Sequence, residues 1–188
     1  MTKTQPNHIK IRLAQPQDRN QIFNIQRDAI QALCSIDYSP EQIQALLNDI
    51  HLDKSQAEER KDIVFVAEIG EKIVGFSAYS RYWVNALYVH PQYVRQGIGT
   101  ELLKAIEREA CSQNVNTLAV CASITAKPFY EASGYQEFSK TYINSSSGVY
   151  IPCSRMQKWL SSTTEGEQLP SDSLTVICRF VQWILTGK

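Results

Sequence analysis

The sequence predicts an α+β fold, one sheet with helices on its faces. Apolar residues alternate with polar ones in short runs such as Ile9, Ile11 and Leu13, or fill them, as in Ile63 to Ile69 (IVFVAEI). Between such runs they recur at helical spacing, as in Ile98, Leu102, Ile106 and Ala110. The runs follow the order strand, two helices, three strands, helix, strand, helix, two strands, which suits a sheet covered by helices.

Each element has its own signal. Ile9, Ile11 and Leu13 make the first strand. After Pro16 and Asp18, the residues Ile22, Ile25, Ala29 and Leu33 share one helix face. Ser39-Pro40-Glu41-Gln42 then combines an N-cap serine, proline at the first helical position and glutamine three after the cap, a capping box. Ile43, Leu46, Leu47 and Ile50 supply the face of that second helix. Ile63 to Ile69, a Gly70-Glu71-Lys72 turn and Ile73 to Tyr82 form an antiparallel pair. Trp83 to Val89 is the third strand of this meander, stopped by His90-Pro91. A helix opens at Gly97-Ile98-Gly99, and Thr117 to Ala122 is an apolar strand. Ala126 to Ser133 is a short helix closed by Gly134, and Gln136 to Ile143 and Val149 to Leu160 are the last strands.

Composition narrows the function classes. The 188 residues suit one domain with an appendage. Lys plus Arg is 19 and Asp plus Glu is 19, a formal net charge of zero, which argues against a general nucleic-acid binder. The five cysteines (34, 111, 121, 153, 178) show no metal-ligand spacing. Buried thiols in a reduced, cytoplasmic protein are the expectation, with no metal. Met1 to Lys10 lacks an apolar signal segment, and no run is long enough for a membrane span. Composition divides the chain into a domain at 1–160, a polar linker at 161–172 and an apolar tail at 173–188. Within the tail Thr175, Arg179, Gln182 and Thr186 form one narrow polar stripe, which predicts a short helix. It is expected to pack on its own domain, in a homodimer, or on a partner or membrane surface.

Two blocks carry chemistry. In the first, Leu87-Tyr88-Val89-His90-Pro91 ends a strand, and Arg95-Gln96-Gly97-Ile98-Gly99-Thr100 opens a helix. Successive amides at a helix N-terminus make an anion site, and glycine lets phosphate oxygens approach. Neither a dinucleotide fingerprint nor a Walker loop fits, because Leu102 stands where the third glycine is needed and no Gly-Lys-Ser/Thr follows. In the second block, Ser123-Ile124-Thr125-Ala126-Lys127-Pro128-Phe129-Tyr130 follows a strand and presents Tyr130 one turn before Gly134.

Together these blocks resemble the GNAT superfamily of acyl-CoA N-acetyltransferases: V-x-P, then G-x-G opening a helix, then A-x-x-F-Y-x-x-x-G-F/Y about 30 residues on. The resemblance spans about residues 9–160. The stretches Tyr38 to Ile43 and Ala122 to Phe129 look like a bacterial subgroup of small GNAT proteins. It implies a mixed, mostly antiparallel sheet whose two central strands splay into a cofactor cleft. Amides of Arg95, Gln96, Gly97, Ile98, Gly99 and Thr100 would hold the pyrophosphate of acetyl-CoA. The main chain of Leu87 and Val89 would hold its pantetheine arm, and Ser123 would contact the cofactor. A primary amine of a small molecule or protein would attack directly, and Tyr130 would protonate the leaving thiolate. Phenol suits that task, with an ordinary pKa of about 10.

Tyr38, Tyr79, Tyr82, Trp83 and Asn85 are candidates for the acceptor pocket. Asn85 stands where many relatives carry an acidic base, and Asn accepts no proton. Water, Asp37, Glu68 and His90 remain candidates for that role. The alternatives are a noncatalytic acyl-CoA-binding regulatory module on the same fold, favoured by Asn85, and an adaptor that recruits a partner through the tail.

Overall fold

The computed structural model describes residues 8–160, of which 51–56 by their backbone. The strands are β1 (Ile9–Leu13), β2 (Ile63–Ile69), β3 (Lys72–Ser80), β4 (Trp83–Val89), β5 (Thr117–Ser123), β6 (Gln136–Asn144) and β7 (Tyr150–Trp159). The helices are α1 (Arg19–Leu33), α2 (Pro40–Arg60), α3 (Ile98–Ser112) and α4 (Lys127–Ala132). Their order is the one expected, with ends shifted by a few residues. The linker and apolar helix expected at 161–188 lie outside the described residues.

Local chemistry sets the element ends. Ser39 Oγ accepts from Gln42 N (3.2 Å) and Gln42 Oε1 accepts from Ser39 N (3.0 Å), so the capping box starts α2. Gly134 turns the chain out of α4 at φ +88°, where a side chain would be strained.

All seven strands form one sheet in the order β1-β2-β3-β4-β5-β7-β6. Every neighbouring pair is antiparallel except β4–β5, which is parallel. At the β1 end, Arg12 bridges Asp18 and Glu68, and its guanidinium holds the Asp18 carboxyl below the usual range.

Helices cover both faces. Ile25 of α1 packs with Val66, Ile73 and Phe76 on one face. Leu103 and Ile106 of α3 pack with Val84, Leu118, Val120 and Met156 on the other. Gly75 lets α3 press onto β3: a Cβ there would stand 3.0 Å from Tyr88 O and 3.1 Å from Leu102 Cδ1.

Candidate active site

The two central strands part. β4 and β5 pair only at Trp83↔Ala119 and Val84↔Val120, and beyond Val84 they separate. The cause lies in β4. Tyr79 pairs with Val84 while Ala78 pairs with Ala86, so Asn85 is an extra residue, a β-bulge. Such a bulge bends its strand and ends pairing. The Asn85 amide ties the bulge down, donating to Asp62 Oδ1 (2.9 Å) and Ser80 Oγ (2.9 Å). Asp62 is itself buried, 1% exposed at its side chain, and held by Arg60 (2.8 Å).

The edge of β4 that faces the gap is defined by its bonds on the other side. His90 N–H bonds Val74 C=O of β3 (2.9 Å). Because main-chain groups alternate in direction along a strand, Tyr88 and Ala86 also point toward β3, and Leu87 and Val89 point into the gap. The sequence-predicted pair therefore presents its amides and carbonyls along one wall.

A second set of donors continues that wall. Gly97 adopts φ +82° as the N-cap of α3, and Arg95 adopts φ +63°. The α3 ladder begins with Glu101 N–H to Gly97 C=O (3.1 Å), so the amides before it have no partner within the helix. They face outward at the positive end of the helix dipole. Arg95, Gln96 and Thr100 are exposed, and no carboxylate pairs with Arg95 among the described residues. A Cβ on Gly99 would stand 3.4 Å from the Phe129 ring, so α4 abuts this loop. Phe129 is a neighbour that sequence reasoning passed over, although it stands in the quoted F-Y pair.

Gly97→Ala isolates the backbone cost, since nothing lies within 4 Å of an added Cβ. Holding alanine at positive φ costs about 1 kcal/mol. Thermal unfolding is expected to fall by roughly 2–4 °C. An unchanged midpoint would show that the loop does not need this conformation.

Tyr130 of α4 is buried on the α3 side of the sheet. It belongs to the same buried cluster as Val84 and Val120, the last residues at which β4 and β5 pair. It is 4% exposed, and its ring meets Phe129 (5.2 Å, 69°) and Tyr135 (5.3 Å, 70°) edge to face. Burial pushes its hydroxyl pKa up, which keeps it a neutral phenol.

Other candidates are dispersed. Tyr79 is fully buried in the core under α3, and its hydroxyl has no hydrogen-bond partner. Tyr82 and Trp83 pack together (5.7 Å) at the closed end of the gap. Tyr38 is a clamp rather than a free wall: its hydroxyl donates to Pro152 O (2.7 Å) and accepts from Ile124 N (2.8 Å), and burial pushes its pKa up to about 12. Ser123 Oγ accepts from Ala126 N (3.1 Å), which caps the turn into α4. Asp37 accepts from Thr125 Oγ1 (2.7 Å) just beyond β5. Glu68 is engaged by Arg12 and Lys10 near the β1 edge, and His90 faces Asp28 (Nε2 to Oδ2, 3.8 Å). Among the described residues no group of His, Cys, Asp or Glu is arranged to hold a metal. No helix among them is long and apolar enough to cross a membrane.

Known proteins resemble this chain in sequence and fold. The family model of the acetyltransferase (GNAT) domain matches residues 34–151. An uncharacterized N-acetyltransferase of Escherichia coli, YafP, is 38% identical over 132 residues, covering 69% of this chain and 83% of that protein. A GCN5-related N-acetyltransferase of Rhodopseudomonas palustris superposes with a TM-score of 0.75 at 27% identity, over 85% of this chain and 98% of that one. The fold is shared with YncA of Salmonella typhimurium, a putative acetyltransferase solved with acetyl-CoA. That match has a TM-score of 0.59 at 18% identity, over 86% of this chain and 99% of the other. With the parted strands, the outward amides of α3 and these likenesses in agreement, the chain belongs to the GNAT family of N-acetyltransferases.

Proposed function

We propose that this chain transfers the acetyl group of acetyl-CoA to a primary amine by direct attack within the β4–β5 gap. The carrying observation is the meeting of two sets of unused main-chain groups, the Leu87–Val89 edge and the first turn of α3. With β4 ending at Val89 and α3 opening at Ile98, the two sets would serve one extended ligand with amides at one end and a pyrophosphate at the other. Pantetheine amides would add to β4 as a partial strand, and the pyrophosphate would cap α3, with the Arg95 charge beside it. The acetyl-CoA held by the Salmonella protein favours the same ligand here.

A β4 amide would polarise the thioester carbonyl, stabilising the oxyanion as the amine attacks. The C–N bond forms, the C–S bond breaks, and Tyr130 donates to the departing sulfur. The raised pKa of Tyr130 refines the expected role: a buried phenol is a better hydrogen-bond donor than a complete proton donor. Asp37, beyond the end of β5, would take the ammonium proton through water. The four described cysteines are unpaired, which favours a reducing, cytoplasmic setting.

Calorimetry with coenzyme A and with pantetheine, which lacks the pyrophosphate, tests this reading. Coenzyme A is expected to bind at least about 30-fold more tightly, the worth of a few charge-assisted bonds. Equal affinities would remove the α3 loop from the site. The noncatalytic alternative draws on Asn85, whose amide is spent on the bulge and which supplies no base.

A further inference from the structure

The face of the β5–β7 pair turned away from α3 carries a charge that no carboxylate among the described residues pairs with. Val120, Ala122 and Met156 face α3. The alternate residues Cys121, Cys153 and Arg155 therefore face the other side. There Tyr38, Ala45 and Ile151 close the surface beneath α2. Arg155 of β7 lies directly opposite Cys121 of β5 in the register. Cys121 is the first β5 residue past the last pairing with β4, so this spot borders the gap. Arg155 is half-buried as a residue, yet no carboxylate pairs with it among the described residues. Asp62, on the β4 side of the gap, is already paired with Arg60 and Asn85.

Two thiols face the same spot. The neighbouring Cys153 thiol holds the Cys121 pKa below its usual value, and the Arg155 charge adds to that effect. A permanently charged fork set in a thiol-lined wall is costly without an anion, and a carboxylate would match it with two parallel bonds.

We propose that Arg155 binds the carboxylate of the acceptor, so that the acceptor is a small amino carboxylic acid, an amino acid or a close analogue. This rests on the transfer reading above, and it names the substrate class. The amine of such a molecule would point toward the gap while its carboxylate is held one strand away on β7.

The test compares the twenty L-amino acids with their carboxamides, in wild type and in Arg155→Gln and Arg155→Lys. Wild type is expected to favour at least one acid over its amide by about 10–100-fold in kcat/KM, the range of a charge-assisted pair. Arg155→Gln should raise KM for that acid by the same factor and abolish the preference. Arg155→Lys should restore part of it, since lysine keeps the charge without the fork. The KM for acetyl-CoA should not move in either variant, which separates anion binding from a structural role. Titrating the CoA-loaded protein with the matching N-acetyl-amino acids reads the same site without turnover. Equal use of acids and amides by wild type, or equal binding of the N-acetyl acids by wild type and Arg155→Gln, overturns the proposal. Failure to bind acetyl-CoA would instead overturn the transfer reading.

Discussion

Tyr130→Phe is expected to lower kcat by about 100-fold while leaving KM for acetyl-CoA within about twofold. The magnitude is that of removing one donor aimed at developing charge. The substitution deletes a single hydroxyl and keeps the ring, so the edge-to-face contacts with Phe129 and Tyr135 survive. The effect should therefore appear in kcat and not in folding. Burial raises the Tyr130 pKa above its ordinary value near 10. The neutral form is then full below that value, and wild type should show no loss of rate assignable to this group between pH 7 and 9. Steady-state rates of Tyr130→Phe within threefold of wild type would take this hydroxyl out of the reaction.

Asp62→Ala should have the largest effect on stability. Its carboxylate is buried, bonds Arg60 in two places and accepts from the Asn85 amide. Removing one member of a buried pair costs about 3–5 kcal/mol. Arg60 retains 27% side-chain exposure, so the low end, about 3 kcal/mol, is expected. That corresponds to roughly 6–12 °C of thermal midpoint for a domain of this size. Because Asp62 anchors the bulge that parts β4 from β5, acetyl-CoA affinity should fall as well. Asp62→Asn, which keeps an acceptor for Asn85, should recover much of the affinity but not the ion pair. A midpoint within 1 °C of wild type in Asp62→Ala would mean that the bulge holds itself.

Much of this was legible in the chain because the signals are local. The capping box of α2, the glycine at the N-cap of α3 and the Gly134 stop of α4 are short-range backbone demands. Leu87 and Val89 were legible through the motif, and the direction of their main chain follows from the single bond of His90 to β3.

What escaped depends on pairing between distant segments. The insertion of β7 between β5 and β6 brings Arg155 opposite Cys121, 34 positions away, where the neighbours of Cys121 in sequence carry no charge. Asp62 has a local partner in Arg60, but its second partner, Asn85 of the β4 bulge, lies 23 positions on. Tyr38 read as an aromatic wall because its hydroxyl's two partners, at positions 124 and 152, lie more than 80 residues off. Tyr79 read likewise, because strand alternation does not tell which face α3 will cover.

The most direct test is thiol release from acetyl-CoA, followed across polyamines, amino acids, aminoglycosides and peptide N-termini, with the acetylated product identified by mass. Saturable turnover, with one N-acetyl group gained per thiol released on at least one primary amine, is the predicted result. Tight binding of acetyl-CoA with no amine acetylated would contradict the transfer reading and leave the noncatalytic acyl-CoA-binding module in its place.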